Sequence, residues 1–259
     1  MSTSKPTIVL VHGAWHTPPN YSRFISALQS RGFTVHCPHL PSCSNTRPPT
    51  ATYTDDVAVV RTLVQDLSQK GDRILMIMHS YGGAIGTDAI QDLDVPSRAT
   101  AGLPGGVTHL LYLCAYMQPP GRSVFDVVEE ANMTPLWSQF IEDGDDRTCF
   151  PVDPVLSFFG DVDTEKIQEG LPHLVRSPLG AFEVKSVGDG WKKLPVTYVT
   201  ATKDYSVPRV YQDLMLKRVA AEGVEVKVVD VDAAHSVFLS REAEMVELVE
   251  EVVSDGRNP

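Results

Sequence analysis

Short apolar runs rich in β-branched residues alternate with segments of helix length along most of this 259-residue chain. The apolar runs are Thr7–His12, Phe33–Cys37, Arg73–His79, Val107–Ala115, Val196–Ala201 and Val224–Val229. The segments of helical periodicity are Asn20–Arg31, Asp55–Gln69, Tyr81–Gln91, Pro208–Ala221 and Arg241–Val253. This alternation is typical of βαβ units, because parallel strands need a long crossover that is usually a helix. It predicts the α/β class, with a mostly parallel sheet flanked by helices.

The alternation stops between Met117 and Leu194, where prolines, glycines, acidic residues and large apolar residues are mixed. A segment of about 75 residues is too long to be a simple connection within a compact domain. We therefore predict that residues 118–193 form an insertion over one edge of the sheet, with short helices of its own. Residues 1–117 and 194–259 then form the core.

Composition and charge exclude several classes of protein. The formal net charge is −11, and no run of lysines or arginines is long enough to follow a phosphate backbone. Nucleic acid is therefore not expected as a partner. The start, Met1–Thr7, has no apolar signal-peptide core, and no stretch reaches about 18 apolar residues. We expect a cytoplasmic protein without a membrane partner.

The chain contains four cysteines, Cys37, Cys43, Cys114 and Cys149. Their spacings match no zinc-binding pattern, so reduced structural thiols are expected. His36 and His39 lie close to the first two, but this order fits no tetrahedral ligand set. No metal is therefore expected.

The end of the third apolar run carries the pattern of a nucleophile elbow. Ser80 follows this run directly, and the helix after it begins with Tyr81 and two glycines. In such an elbow the serine projects from a sharp turn between strand and helix. The usual pattern has glycine two residues before the serine, whereas Met78 stands here, so its side chain must find room elsewhere. A helix N-cap is the structural alternative for Ser80.

A serine hydroxyl needs a base within hydrogen-bond reach, and that base needs an acid to orient it. His235 follows the last apolar run, and Asp204 follows the fifth, just before a helix that begins with proline. The chain order Ser80, Asp204, His235 is the order found in α/β-hydrolases. Asp230 and Asp232 are rival acids, but both lie close to His235 in sequence. An exposed loop histidine and a helix N-terminal charge are the structural alternatives for His235 and Asp204.

An acyl-transfer enzyme must also stabilise the oxyanion of its tetrahedral intermediate, for which fixed backbone amides are suited. We assign the two donors to the amides of Ala14, which follows the first strand, and Tyr81. His12 is interpreted as a structural histidine.

Large side chains flank these motifs and are candidates for contact with a substrate. The predicted substrate-binding residues are Trp15, His16, Tyr116, Met117 and Phe238. They predict a largely apolar pocket. The alternative is that most of them hold the insertion to the sheet.

Five sequence segments resemble the α/β-hydrolase superfamily, namely VLVHGAW, HSYGG, LLYLCAYMQPPG, YVTATKDYSVP and DAAHSVFLS. Within it, the chain is similar to the branch of small plant methylesterases and hydroxynitrile lyases and their fungal relatives. The resemblance implies six parallel strands and a mainly helical cap formed by the insertion. It also places Ser80, Asp204 and His235 on the catalytic triad of the family.

The same resemblance separates related reactions. The hydroxynitrile lyases of this branch have threonine and lysine where this chain has Gly13 and Ser236, so the esterase-like reaction is favoured. Epoxide hydrolases and dehalogenases of this fold carry aspartate at the position of Ser80. No cofactor is expected.

The sequence thus predicts a serine hydrolase that cleaves an ester, lactone or thioester of a small, largely apolar molecule through an acyl-enzyme. Two alternatives stay open. One is C–C bond hydrolysis, retro-Claisen cleavage or cyclisation of a diketone by the same triad. The other is a ligand-binding receptor with an idle triad. A homodimer is one option for the assembly.

Overall fold

The computed structural model describes residues 5–255 and contains two sheets. The strands are β1 (Thr7–Val11), β2 (Val35–His36), β3 (Arg73–His79), β4 (Gly106–Leu113), β5 (Ile141–Asp143), β6 (Thr148–Pro151), β7 (Ser177–Pro178), β8 (Val196–Ala201) and β9 (Lys227–Val231). The larger sheet has six strands in the order β2-β1-β3-β4-β8-β9, and every neighbouring pair in it is parallel. This confirms the predicted α/β class.

The helices pack on both faces of this sheet, as expected for a parallel sheet of apolar strands. They are α1 (Ser22–Ser30), α2 (Tyr53–Gln69), α3 (Gly82–Ala89), α4 (Val95–Thr100), α5 (Val124–Glu130), α6 (Trp137–Phe140), α7 (Pro154–Phe159), α8 (Thr164–Gly170), α9 (Arg209–Ala221), α10 (Val237–Ser240) and α11 (Glu242–Asp255). Within residues 5–255, no helix combines the length and the apolar character that crossing a membrane requires.

Burial follows position in the sheet. Every residue of the central strand β3 after Arg73 is buried, whereas the edge strand β9 is largely exposed and buries only Val231 fully. The apolar pattern therefore predicted both ends of β3 correctly. It placed the last strand at Val224–Val229, which is too early by three residues at its start and by two at its end. The second strand is also shorter than predicted, because only Val35 and His36 pair with β1.

Helix α2 begins two residues before its predicted start, because its first turn is capped. The side chain of Thr52 accepts a hydrogen bond from the Asp55 amide, and the Asp55 carboxylate accepts one from the Thr52 amide. Such a capping box satisfies two amides that a helix leaves unpaired. The helix then buries Val60, Val64 and Leu67 against the sheet.

The segment between β4 and β8 was expected to be mainly helical, but it also contains the antiparallel sheet β5-β6-β7. Two hydrogen bonds from Trp15, in the loop after β1, fasten this sheet to the core. The indole Nε1 donates to the carbonyl of Cys149 at 3.0 Å, and the backbone amide donates to Ser177 Oγ at 2.9 Å. The strands of this sheet have two to four residues each, too few to produce a recognisable sequence pattern.

Candidate active site

Ser80 lies at the turn between β3 and α3 in a conformation that is unusual for a residue with a side chain. Its φ angle is 54°, in the left-handed region, where non-glycine residues are strained. Neighbouring backbone groups hold it there: its amide donates to the Leu113 carbonyl at 3.2 Å, and its carbonyl accepts from the amides of Gly83 at 3.0 Å and Tyr116 at 2.9 Å. The turn thus presents the Ser80 side chain to a cavity at the end of the sheet.

Glycines allow the helix after Ser80 to lie close to the strands. A Cβ atom at Gly82 would be 2.6 Å from the carbonyl oxygen of His12, and one at Gly83 would be 2.5 Å from that of Tyr116. Real Cβ atoms do not approach backbone oxygens so closely. Both positions therefore require glycine for the elbow to form.

Met78 replaces the usual glycine of the elbow, and Gly86 provides the space for it. Met78 is fully buried. A Cβ atom at Gly86 would overlap Met78 Sδ and lie 2.8 Å from Met78 Cγ. The glycine on the helix thus accommodates the large side chain on the strand.

His235 and Asp204 form a buried pair at the ends of two neighbouring strands. Nδ1 of His235 lies 2.7 Å from Oδ2 of Asp204, and both side chains are inaccessible to solvent. The other carboxylate oxygen of Asp204 accepts hydrogen bonds from the amides of Ser206 at 2.7 Å and Val207 at 2.8 Å. These amides fix the carboxylate, and since an ionised carboxylate only accepts, Nδ1 of His235 carries the proton.

The remaining ring nitrogen of His235 is free to act on a neighbour. Nε2 is buried and has no hydrogen-bond partner among the described residues. No hydrogen bond joins it to Ser80 Oγ in the part of the chain described. Such contacts are often long without substrate and shorten in the reacting complex. With Nδ1 protonated, Nε2 bears the lone pair that a general base needs.

The two predicted oxyanion donors line the same cavity as Ser80. Within residues 5–255, the amides of Ala14 and Tyr81 donate no hydrogen bond to a backbone carbonyl. His16 Nδ1 is 2.8 Å from the carbonyl oxygen of Ala14 and donates to it, because that oxygen can only accept. The Ala14 carbonyl belongs to the peptide that follows the Ala14 amide, so this hydrogen bond leaves that amide available.

The cavity above Ser80 has a volume of about 280 Å³ and lies between the sheet and the insertion. Its wall is mostly aromatic and aliphatic; apart from Ser80, Ala14 and Tyr81, it is formed by Trp15, Tyr116, Val124, Val128, Met133, Leu136, Trp137, Phe140, Ile141, Pro151, Ser157, Phe182, Asp204, Tyr205, Ser206, Pro208 and Tyr211. Asp204 is the one charged residue among these described wall residues, and its carboxylate is already bonded.

Of the predicted substrate-binding residues, Trp15 and Tyr116 line the cavity, and the other three do not. His16, Met117 and Phe238 are completely buried behind the wall. The ring of Phe238 instead stacks on Tyr21, with centroids 4.3 Å apart. Proximity to a motif in sequence could not distinguish a wall residue from one in the layer behind it.

The predicted substrate-binding residues included none from the insertion or from α9, although both contribute to the wall. The insertion supplies Trp137, Phe140 and Ser157, and the start of α9 supplies Tyr211. The large aromatic residues of the insertion were the available signal, but no periodicity indicated which of them face the core.

Buried histidines surround the site, and burial keeps them neutral. It lowers the pKa of His12 to about 4 and that of His16 to about 3. The pKa of His79 also lies well below its ordinary value because of burial and the neighbouring His235 and His16. Charge is disfavoured in this low-dielectric environment.

Three buried groups of metal-ligating type, His79, Cys114 and His235, lie within 4.8 Å of one another. Most of their polar atoms already form hydrogen bonds. His79 uses both ring nitrogens, on Tyr21 and on the carbonyl of His235, and Cys114 Sγ donates to that same carbonyl at 3.2 Å. His235 Nδ1 is bonded to Asp204, and Nε2 has no partner among the described residues.

Comparison with known proteins identifies the family of the chain. The model of the alpha/beta hydrolase family matches residues 8–248. The chain belongs to this family. This α/β hydrolase is 27% identical over 218 residues to the alpha/beta hydrolase nvfD of Aspergillus novofumigatus, covering 83% of this chain and 84% of that protein.

Two solved structures have the same fold as this α/β hydrolase. A pyrethroid hydrolase from Sphingobium faniae superimposes with a TM-score of 0.76 at 22% identity, covering 97% of this chain and 98% of the other. Methylketone synthase I of tomato gives a TM-score of 0.72 at 13% identity, with coverage of 97% and 99%. The similarity therefore extends through the inserted segment as well as the core.

Proposed function

We propose that this α/β hydrolase is a serine hydrolase of the carboxylesterase type, with Ser80, His235 and Asp204 as its catalytic triad. The observation that carries the proposal is the buried His235–Asp204 pair, 2.7 Å apart, in which His235 Nε2 has no partner among the described residues. Ser80, held at a strained elbow, is the nucleophile that we assign to this base. The unpaired amides of Ala14 and Tyr81 line the same cavity and support the assignment. The names of pyrethroid hydrolase and nvfD hydrolase among similar proteins fit this reaction class.

The reaction begins when Ser80 Oγ attacks the carbonyl carbon of an ester, lactone or thioester. His235 Nε2 takes the hydroxyl proton, while the amides of Ala14 and Tyr81 stabilise the oxyanion. The bond to the leaving group then breaks, and His235 returns the proton to it. Water attacks the resulting acyl-enzyme by the same steps, which releases the acid and regenerates Ser80. Asp204 holds the imidazole in the required tautomer throughout.

The cavity favours a neutral substrate with a large apolar part. Its wall offers aromatic surface, and neutral residues with hydroxyl groups can orient a ligand there, namely Tyr116, Ser157, Tyr205, Ser206 and Tyr211. No lysine or arginine is among the described residues that line it, so a charged substrate would lose its hydration without gaining a partner. Burying an unpaired charge costs several kcal/mol or more. We therefore propose apolar, uncharged carboxylic esters as the substrate class.

Pre-steady-state hydrolysis of p-nitrophenyl butyrate tests the acyl-enzyme. We expect a burst of p-nitrophenolate close to one equivalent per chain, or, if deacylation is fast, acyl-enzyme detected by mass spectrometry after acid quench. Steady hydrolysis with no covalent species in either measurement would refute the mechanism. Comparison with p-nitrophenyl hemisuccinate, of similar length but charged, tests the substrate class. The neutral ester should be hydrolysed with a kcat/KM higher by at least about tenfold.

A further inference from the structure

A continuous hydrogen-bond chain joins the loop of the general base to the loop of the oxyanion donor. It starts at the carbonyl oxygen of His235, which lies 3.1 Å from His79 Nε2. His79 Nδ1 lies 2.7 Å from the hydroxyl of Tyr21, and this hydroxyl lies 2.9 Å from the amide of Gly13. Gly13 immediately precedes Ala14. The hydrogen-bond chain thus runs from His235, the general base, to Gly13, the residue before the oxyanion donor Ala14.

The direction of every hydrogen bond in this chain is determined by chemistry. A carbonyl oxygen only accepts, so His79 Nε2 carries the proton that it donates to His235. In a neutral imidazole the other nitrogen then accepts, so the Tyr21 hydroxyl donates to His79 Nδ1. A backbone amide only donates, so the Tyr21 oxygen accepts from Gly13. Each donor has one acceptor, and the chain is complete only while His79 is neutral.

Packing holds the chain in place. His79 and Tyr21 are completely buried, and Phe238 stacks on the Tyr21 ring and meets the His79 ring edge-on, with centroids 4.3 Å and 5.0 Å apart. A Cβ atom at Gly13 would be 3.0 Å from Ser80 Cβ and 3.1 Å from His79 Nδ1. The absence of a side chain at Gly13 lets the oxyanion loop approach the elbow closely.

We propose that His79 and Tyr21 are positioning residues that hold the His235 imidazole and the Ala14 amide at a fixed separation. They do not touch the substrate, and this inference rests on the function proposed above. Neither group takes part in the proton transfers assigned to Ser80 and His235. Their effect is on the geometry of the oxyanion, which exists only during the reaction. Their loss should therefore lower kcat and leave KM nearly unchanged.

The variant Tyr21→Phe removes one hydroxyl, and Tyr112→Phe is its matched control. Tyr112 is also completely buried, and its hydroxyl lies 2.7 Å from Thr87 Oγ1, outside the cavity wall. Both variants lose one buried hydroxyl and no ring; Tyr21→Phe removes two hydrogen bonds of the proposed hydrogen-bond chain, and Tyr112→Phe removes one outside it. We expect Tyr21→Phe to lower kcat for p-nitrophenyl butyrate by about 10- to 100-fold. Complete removal of an oxyanion donor typically lowers kcat by ~10²- to 10³-fold, and the loss here is smaller because the Ala14 amide is still present. KM should stay within about twofold, and Tyr112→Phe should keep kcat within about twofold.

Three substitutions of His79 test the hydrogen bonds at the two ends of its ring. His79→Gln can still donate to the carbonyl of His235, and His79→Asn can still accept from Tyr21, whereas His79→Leu can do neither. We expect kcat to fall furthest in His79→Leu and to be partly restored in both amide variants. Equal kcat in all three would contradict a role for these hydrogen bonds. Thermal unfolding of each variant shows whether the fold persists.

Binding of phenylboronic acid separates positioning from a general loss of stability. Its boron adds to Ser80 Oγ, the serine proton passes to His235, and the boronate oxygen occupies the oxyanion site. The dissociation constant of the inhibitor should be higher for Tyr21→Phe than for the wild-type protein, by the same factor by which kcat falls. If Tyr21→Phe matches Tyr112→Phe in kcat and in boronate affinity, the inference is wrong while the proposed function stands. If the wild-type protein neither hydrolyses the ester nor binds the boronate, the proposed function fails and this inference with it.

Discussion

Nδ1 of His235 lies 2.7 Å from Oδ2 of Asp204, although 31 residues separate the two in sequence. The parallel strands β8 and β9 bring them together, because both side chains follow the carboxyl ends of adjacent strands. Two backbone amides hold the carboxylate on its other side. The pair therefore fixes which nitrogen of His235 carries the proton and which one keeps the lone pair.

Replacing the acid of this pair with its amide tests that role. In Asp204→Asn the side-chain NH₂ can face His235 Nδ1, which would move the ring proton to Nε2 and remove the base. We expect kcat for p-nitrophenyl butyrate to fall by roughly 10⁴-fold with little change in thermal stability. Asp232→Asn is the matched control, since Asp232 is exposed and pairs with Lys203. A loss of activity equal in both variants would contradict the assignment of Asp204.

The contact between Met78 and Gly86 predicts that the effects of substitution at these two sites depend on each other. A Cβ atom at Gly86 would be 2.8 Å from Met78 Cγ, so Gly86→Ala should destabilise the protein by about 1 to 3 kcal/mol through overpacking. In a Met78→Ala background the same change should be neutral or stabilising, because the space is empty and alanine favours the helix. Urea unfolding of the four proteins measures the coupling, expected at about 0.5 to 3 kcal/mol.

The control for this cycle is Gly180→Ala, since a Cβ atom at Gly180 would meet no heavy atom within 4 Å. Its effect should be small and the same with Met78 or Ala at position 78. Additive effects of Gly86→Ala and Met78→Ala would show that Gly86 does not serve to accommodate Met78.

The buried histidines predict that the fold loses stability on mild acidification. In the folded protein burial holds the pKa of His12 near about 4 and that of His16 near about 3, compared with 6.5 for a free histidine. The unfolded chain therefore takes up protons that the folded chain does not. The resulting stability is fully present above pH 6.5 and is lost as the pH falls towards the folded-state values. Each histidine should account for about 2 kcal/mol between pH 7 and pH 5.

Urea unfolding at pH 7 and pH 5 measures this loss. His12→Asn keeps a donor for the Gly13 carbonyl, which His12 Nδ1 contacts at 2.8 Å, and should reduce the loss by about 2 kcal/mol. His173→Gln, at an exposed position, should leave it unchanged. An unaltered pH dependence in His12→Asn would show that this histidine does not titrate as proposed.

The features predicted best were those that physical chemistry imposes on a short stretch of sequence. Strand β3 is buried on both faces, so its apolar run marked both of its ends. The elbow at Ser80 needs small residues at Gly82 and Gly83 because backbone oxygens lie where their side chains would be. Such requirements can be read locally, as can the polar residues that follow β8 and β9.

The rest depended on contacts between distant parts of the chain. The sheet β5-β6-β7 was missed because its strands have two to four residues each, too few for a periodicity. Whether His16 or Trp15 faces the cavity depends on one peptide in the loop after β1. The hydrogen bonds of Tyr21 likewise join residues that no local pattern connects.

The measurement that tests the central claim most directly is the site of covalent labelling by a fluorophosphonate. The reagent forms a phosphonyl–oxygen bond with an activated serine and releases fluoride, so intact-mass analysis counts the adducts and peptide mapping locates them. We predict one adduct per chain at Ser80, none in Ser80→Ala, and labelling slowed by at least about 10³-fold in His235→Ala. Absence of an adduct on the native protein, or an adduct on another serine that persists in Ser80→Ala, would contradict the account.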